Sequence, residues 1–172
     1  MARTSAALAE LMDRLRFLLL TGGGTGLAPV APGTFGTIPA FALAAGIVWL
    51  CPDWRGWAGI LLLSLVLLWF GCLQTEFSAR TFGSHDPGAF VLDEIVGYLL
   101  AVAIFWVARG VPSLGWQLGL FALFRFFDIS KLQPARALEG LPGAAGIMLD
   151  DVAAGVWAAA AAIGLSFVAQ SV

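Results

Sequence analysis

The chain has 172 residues, 60% of them hydrophobic and 12% charged, with a mean hydropathy of +0.91 and a formal net charge of −2. A soluble domain is nearer half apolar and a quarter charged, so this composition excludes an ordinary water-soluble globule and indicates an integral membrane protein forming one compact unit. The small negative charge offers no basic patch for nucleic acid. The two cysteines, Cys51 and Cys72, are far apart, with no C-x-x-C pair or neighbouring histidine, which makes them packing residues rather than a disulfide or metal site.

From Ala6 to Leu20, Leu8, Leu11, Leu15 and Leu18 share one helical face while Glu10, Asp13 and Arg14 lie elsewhere. These charges, with Arg16, interrupt the apolar stretch and no cleavage-site pattern follows, so the segment does not read as a signal peptide. It reads as an amphipathic helix, either lying along the membrane interface or packed on the protein's own cytosolic face. Residues 1–20 are assigned to this helix and 21–172 to the membrane domain. Thr21 to Thr37, TGGGTGLAPVAPGTFGT, reads as a glycine- and proline-rich loop. It lacks the Gly-Lys-Ser/Thr of a Walker loop and the preceding strand of a dinucleotide fingerprint. Its glycines allow backbone N–H groups to converge on an anion, with Thr25, Thr34 and Thr37 adding hydroxyl donors; turn punctuation alone also accounts for them.

Five apolar runs follow. Ile38 to Leu50 is short, about 13 residues where roughly 20 span a bilayer. Trp57 to Leu73 has no charge. Phe90 to Val107 carries Asp93 and Glu94 near its start, Leu114 to Ile129 carries Arg125 and Asp128 near its end, and Ile147 to Val168 carries Asp150 and Asp151 near its start. Tryptophans 49, 54, 57, 106 and 116 fall at run ends, as an aromatic belt does. The expected fold is all-α, an integral membrane bundle of four to five embedded helices plus the N-terminal interfacial helix. With the N-terminus in the cytoplasm and five crossings, Arg3, Arg14, Arg16, Arg80, Lys131 and Arg136 lie inside and only Arg55 and Arg109 outside, the positive-inside bias. The same topology brings all the acids of the runs, with His85, Asp86 and the glycine-rich loop, to the cytoplasmic edge.

The segments Phe90 to Gly97 and Ile147 to Gly155 echo one another: paired acids inside an apolar run, then a glycine. Ionisable groups at bilayer depth are costly and usually functional. Two acid pairs from two helices make an oxygen-rich cage, and oxygen ligands without clustered His or Cys suit Mg²⁺ or Mn²⁺ rather than Zn²⁺. The alternatives are ion pairs with Arg125 or Arg80, or a proton relay. Arg125 and Asp128, three apart on one helical face, either neutralise each other or divide the work, with Arg125 and Lys131 clamping a phosphate and Asp128 binding metal or water. His85, the sole histidine, is an interfacial hydrogen-bonding group or a base. There is no Cys-x5-Arg loop, no Asp-x-Asp-x-Thr/Val stretch and no Ser-Arg-His setting. What remains is metal-assisted attack by water on a phosphate ester.

With these residues assembled, the chain resembles the phosphatidylglycerophosphatase A family. The matching stretches are Gly24 to Thr37; His85-Asp86-Pro87-Gly88 leading to Val91-Leu92-Asp93-Glu94-Ile95-Val96-Gly97; Phe124-Arg125-Phe126-Phe127-Asp128 with Lys131, Pro134 and Arg136; and Gly146-Ile147-Met148-Leu149-Asp150-Asp151 with Ala154-Gly155. Leu132 stands where the family has a proline after the lysine. The resemblance implies a multi-pass enzyme of the bacterial inner membrane, with its site on the cytoplasmic side. It would remove phosphate from phosphatidylglycerophosphate to give phosphatidylglycerol, with Mg²⁺ as cofactor and the phospholipid and bilayer as partners. Carried onto this chain, it implies a metal shell of Asp86, Asp93, Glu94, Asp128, Asp150 and Asp151. Catalysis would involve Asp93, Glu94, Asp128, Asp150, Asp151 and Lys131, and phosphate contacts would come from Thr34, Thr37, Arg125, Lys131 and His85. The competing readings are a small proton- or cation-coupled transporter with the acidic repeats at its midplane, and a non-catalytic scaffold.

Overall fold

Eight α-helices and one 3-10 turn carry the described chain: α1 (Ala2–Leu20), the turn Thr25–Leu27, α2 (Pro32–Leu50), α3 (Trp54–Cys72), α4 (Thr75–Phe82), α5 (Leu92–Arg109), α6 (Leu114–Ser130), α7 (Ala135–Leu138) and α8 (Ala144–Gln170). The structure is a computed structural model and describes residues 2–83 and 87–170, with side-chain surroundings from residue 4 to residue 169. Local chemistry sets several boundaries. Asp53 accepts the Arg55 N–H at 2.8 Å and starts α3, and Ser113 accepts the Trp116 N–H at 3.4 Å and starts α6. Gly83, at φ 69°, closes α4 in the left-handed conformation that glycine adopts without penalty.

The glycine- and proline-rich stretch is only half a loop. Pro32 sits in the first turn of α2, where its fixed φ suits the helix and its missing N–H costs nothing. Residues Pro32 to Thr37 are therefore helical, and the short run from Ile38 becomes part of a 19-residue helix.

Side-chain contacts give the topology. Trp57 Nε1 at the start of α3 donates to the Ala103 carbonyl near the end of α5 at 3.0 Å, so these two helices are antiparallel. Phe41 of α2 lies 6.3 Å from the Tyr98 ring of α5, and Arg109 at the end of α5 stacks 4.2 Å over Phe167 near the end of α8. Helices α2, α5 and α8 run one way, and α3 and α6 the other. The bundle is wrapped around α5, in which twelve of eighteen residues, from Leu92 to Trp106, are buried.

Among the described residues, three helices, rather than four or five, are by themselves long and apolar enough to cross a membrane: Pro32–Leu50, Trp54–Cys72 and Ala144–Ala169. Helix α5 carries Asp93, Glu94 and Arg109, and α6 has 17 residues. Neighbours bury most of α5, Asp93 included, which is why it can hold charges that a lipid-facing helix could not.

Helix α1 touches the rest of the protein along a narrow seam. Phe17 stacks on Phe82 at 5.9 Å, Asp13 pairs with Arg80 at 3.1 Å, and the Arg16 guanidinium lies over the Phe77 ring. Leu8, Leu11, Leu15 and Leu18 remain exposed, so the leucine face is not packed on the protein's own surface. Cys51 and Cys72 are free and lie at opposite ends of α3.

Candidate active site

The two echoed segments meet where α5 crosses α8. A Cβ at Gly155 would collide with the Gly97 carbonyl oxygen, and one at Gly97 would collide with the Phe124 ring and the Asp151 carbonyl. Only glycine permits so close a backbone approach. Asp93 precedes Gly97 by four residues and Asp151 precedes Gly155 by four. Each therefore stands about one helical turn from the contact, on the side of the bundle where α5 and α8 begin. The echo is offset by one position: two residues separate the acids from Gly97, and three separate them from Gly155. The structural counterpart of Asp93 is accordingly Asp151, not Asp150.

That offset divides the four acids. Asp93, Glu94 and Asp151 converge, each offering a carboxylate oxygen within 4.8 Å of the others. Asp150 turns aside to Lys131, whose Nζ donates to its Oδ2 at 3.1 Å. The first acid of each pair makes the same local bond: Asp93 Oδ1 accepts the Glu94 N–H and Asp150 Oδ1 the Asp151 N–H, both at 2.9 Å. Asp93 and Glu94 occupy the first turn of α5, where the positive end of the helix dipole favours negative charge. Asp93, Asp150 and Asp151 are 7%, 6% and 3% exposed.

Helix α6 supplies the cations. Arg125 Nη1 lies 2.5 Å from Asp128 Oδ2 and 3.6 Å from Glu94 Oε1. The distances make ion pairs, but Nη1 and Nε have no aligned hydrogen-bond acceptor. Lys131 ends α6 at φ 45°, a left-handed conformation uncommon for a residue with a Cβ. The helix thus stops here without the proline that Leu132 replaces. Besides Asp150, its Nζ donates to Glu139 Oε1 at 2.6 Å. Burial lowers the Lys131 pKa, but the hydrogen bonds and charges of Glu139 and Asp150 outweigh it and leave the ammonium above its ordinary value.

These residues enclose a cavity of about 210 Å³, lined by Asp93, Glu94, Arg125, Asp128, Lys131, Asp150 and Asp151, with Pro32 and Gly33 of α2 forming one wall. Seven of the residues singled out from sequence thus share one site. Thr34 and Thr37 do not line it. Thr37 is buried and its hydroxyl donates to the Gly33 carbonyl at 2.7 Å inside α2; because the loop has become helix, its hydroxyl is consumed locally. The α2 residue that meets the charges is Gly33, where a Cβ would strike Glu94 Oε1 and the Arg125 guanidinium. His85 and Asp86 lie outside the described residues. A larger groove of about 650 Å³ between α1 and α4 is mainly apolar and contains none of the converging acids.

The donor set fits a hard divalent cation. Glu94 Oε2 and Asp151 Oδ2 are buried without a hydrogen-bond partner, and buried carboxylate oxygens without a donor or cation are strongly disfavoured. The three converging groups offer oxygen ligands of the kind Mg²⁺ takes.

Proteins similar in sequence to this chain carry phosphatase names. Over 82% of its length, the chain is 40% identical to a Haemophilus influenzae protein named phosphatidylglycerophosphatase A, of which it covers 82%. It is 33% identical to the Escherichia coli protein of that name, over 81% of this chain and 76% of the relative. It is also 33% identical, over 83% of this chain and 88% of the relative, to a Bacteroides thetaiotaomicron protein provisionally named a phosphatidylinositol-3-phosphatase. No solved structure matches. The family model described as phosphatidylglycerophosphatase A matches residues 18–166, which takes in every residue of the cavity: the chain belongs to this family of membrane phosphatases.

Proposed function

We propose that this phosphatase removes the terminal phosphate of phosphatidylglycerophosphate, yielding phosphatidylglycerol and inorganic phosphate, with Mg²⁺ as cofactor and the site at the cytoplasmic face of the bacterial inner membrane. The observation that carries this reading is the convergence of Asp93, Glu94 and Asp151 beside Arg125 and Lys131 in one small cavity. A phosphomonoester bears close to two negative charges near neutral pH, so a cavity of bare carboxylates would repel it. Mg²⁺, held by Asp93, Glu94 and Asp151, would supply the compensating positive charge and polarise the phosphoryl group.

The chain's own residues do the rest. Arg125, whose Nη1 and Nε are buried without an aligned acceptor, offers donors to phosphate oxygens in the fork geometry such groups favour. Asp128 fixes that guanidinium from within the same helix. Lys131 keeps its proton, since its pKa is raised, and therefore acts as a fixed positive charge rather than as a proton donor. Asp150 holds its ammonium against the cavity wall. The carboxylate oxygen of Glu94 or Asp151 not turned to the cation would orient the attacking water and receive its proton. Water attacks phosphorus, the ester P–O bond breaks, and the leaving alkoxide takes up the proton passed back from that carboxylate and departs as the lipid alcohol.

The acids gather where helices begin and end rather than at their middles, which disfavours a transporter site at the bilayer midplane. Phosphate release in detergent micelles is the test. Phosphatidylglycerophosphate is expected to be hydrolysed, phosphatidylglycerol to be left intact, and excess chelator to stop turnover. Full activity in chelator rules out the cofactor. Faster release from phosphatidylinositol 3-phosphate, the substrate in the Bacteroides relative's name, would reassign the lipid while keeping the chemistry.

A further inference from the structure

We infer that Glu139 is a resting-state stand-in for the substrate phosphate: its carboxylate occupies Lys131 in the empty site and is displaced by the incoming phosphoryl group. The inference rests on the reading of Lys131 as a phosphate ligand.

Lys131 links two environments. It lines the cavity, yet Glu139 does not, and the two carboxylates on its Nζ differ in kind. Asp150 is buried on α8, whereas the Glu139 side chain is 40% exposed at the rim, just after α7. The shorter contact, 2.6 Å against 3.1 Å, is to the rim group. An ammonium has three donors and a rotatable stem, so it can keep Asp150 while exchanging Glu139 for another oxygen anion. A phosphate dianion carries twice the charge of one carboxylate and wins that exchange once the metal site has drawn it in. When the product leaves as inorganic phosphate, Glu139 returns to Lys131 and competes against rebinding. Glu139 is thus a positioning residue: it tunes the phosphate affinity of Lys131 without touching the reacting atoms.

The test compares wild type with Glu139→Gln, Lys131→Ala and the double variant, at saturating Mg²⁺, reading KM for phosphatidylglycerophosphate, kcat, and competitive inhibition by inorganic phosphate. Glutamine keeps the shape and removes the competing charge. The Ki for phosphate and the KM are expected to fall about tenfold in Glu139→Gln, as the loss of one charged competitor implies, with kcat unchanged or lower as product leaves more slowly. In the Lys131→Ala background the same substitution is expected to have no effect, since the two act as one unit. If Glu139→Gln leaves Ki and KM unchanged or raises them while Lys131→Ala weakens phosphate inhibition, Glu139 is merely structural and the inference falls alone. An equal fall in both backgrounds would mean a general field effect and also overturns it. If Lys131→Ala leaves phosphate inhibition intact, Lys131 is not a phosphate ligand and the underlying reading fails with the inference.

Discussion

Gly33 is the residue at which the site has least room. It sits in the first turn of α2 with a buried backbone, and an added methyl would overlap Glu94 Oε1 and come within 2.9 Å of both terminal nitrogens of Arg125. Those atoms end side chains that pair with one another and with Asp128, so giving way means loosening the Arg125–Glu94 and Arg125–Asp128 ion pairs. Overpacking of this kind costs about 1–3 kcal/mol. Here it falls on the groups proposed to bind phosphate, so Gly33→Ala is expected to lower kcat/KM by about tenfold or more, at 1.36 kcal/mol per decade. The protein should still be extracted as a folded species. Steady-state phosphate release at matched protein level, with size-exclusion behaviour as the folding control, checks it; activity within twofold of wild type would mean that the α2 start does not bound the site. The charged members of the site were legible in the sequence because Asp93, Glu94, Arg125, Asp128, Asp150 and Asp151 interrupt apolar runs, where charge is costly without a role. Gly33 was not, because one glycine among several in a loop-like stretch declares its importance only when α6 and α5 are packed against it. Glu139 was hidden for a related reason: its partner, Lys131, is eight residues away across a turn whose path no periodicity specifies.

At the scale of elements, the crossing of α5 and α8 decides which acids act together. The two acidic segments look like repeats, and their resemblance was legible, but the one-residue difference in spacing to the glycine gains meaning only from the contact between Gly97 and Gly155. A helix turns by about 100° per residue, so that single residue sends Asp151 into the cluster and leaves Asp150 for Lys131. The two neighbours should therefore respond differently to loss of charge. Asp151→Asn removes one of three converging carboxylates and is expected to cost about a hundredfold or more in kcat/KM, with a raised Mg²⁺ requirement. Asp150→Asn leaves the cluster intact and weakens one charged hydrogen bond to Lys131, a loss of about 1.5–3 kcal/mol at most, and is expected to affect KM with little change in the Mg²⁺ requirement. Mg²⁺ titrations of the two purified variants discriminate them; identical Mg²⁺ dependences would mean that the crossing does not sort the acids in the way described. Helix starts show the same division between local and distant causes. Pro32 marks the beginning of α2 through its own geometry, whereas the burial of α5 is a property of the helices around it.

For the whole molecule, the arrangement of helices puts chemistry and charge at one end. The starts of α2, α5 and α8 and the ends of α3 and α6 share that end with α4, α7 and the seam to α1, and the basic residues outside the helical cores follow them. Arg14, Arg16, Arg80, Lys131 and Arg136 lie at the acid end, while Arg55 and Arg109 lie at the other, beside the loop that joins α2 to α3 and the end of α5. Basic residues near short loops are retained on the cytoplasmic side during insertion, and this asymmetry is what the proposed cytoplasmic site predicts. On the proposed orientation, Cys51, exposed between α2 and α3, lies on the outer side, and Ala137, exposed on α7, inside. In intact cells stripped of their outer membrane, an impermeant maleimide is expected to label Cys51 in a Cys72→Ser protein. It should not label a Cys51→Ala/Cys72→Ser/Ala137→Cys protein until the membrane is permeabilised. Exposure of both positions at their own surfaces makes silence informative, because permeabilised membranes should label each variant. Labelling of Ala137→Cys from outside, with Cys51 protected, would invert the protein and place phosphate release on the opposite face.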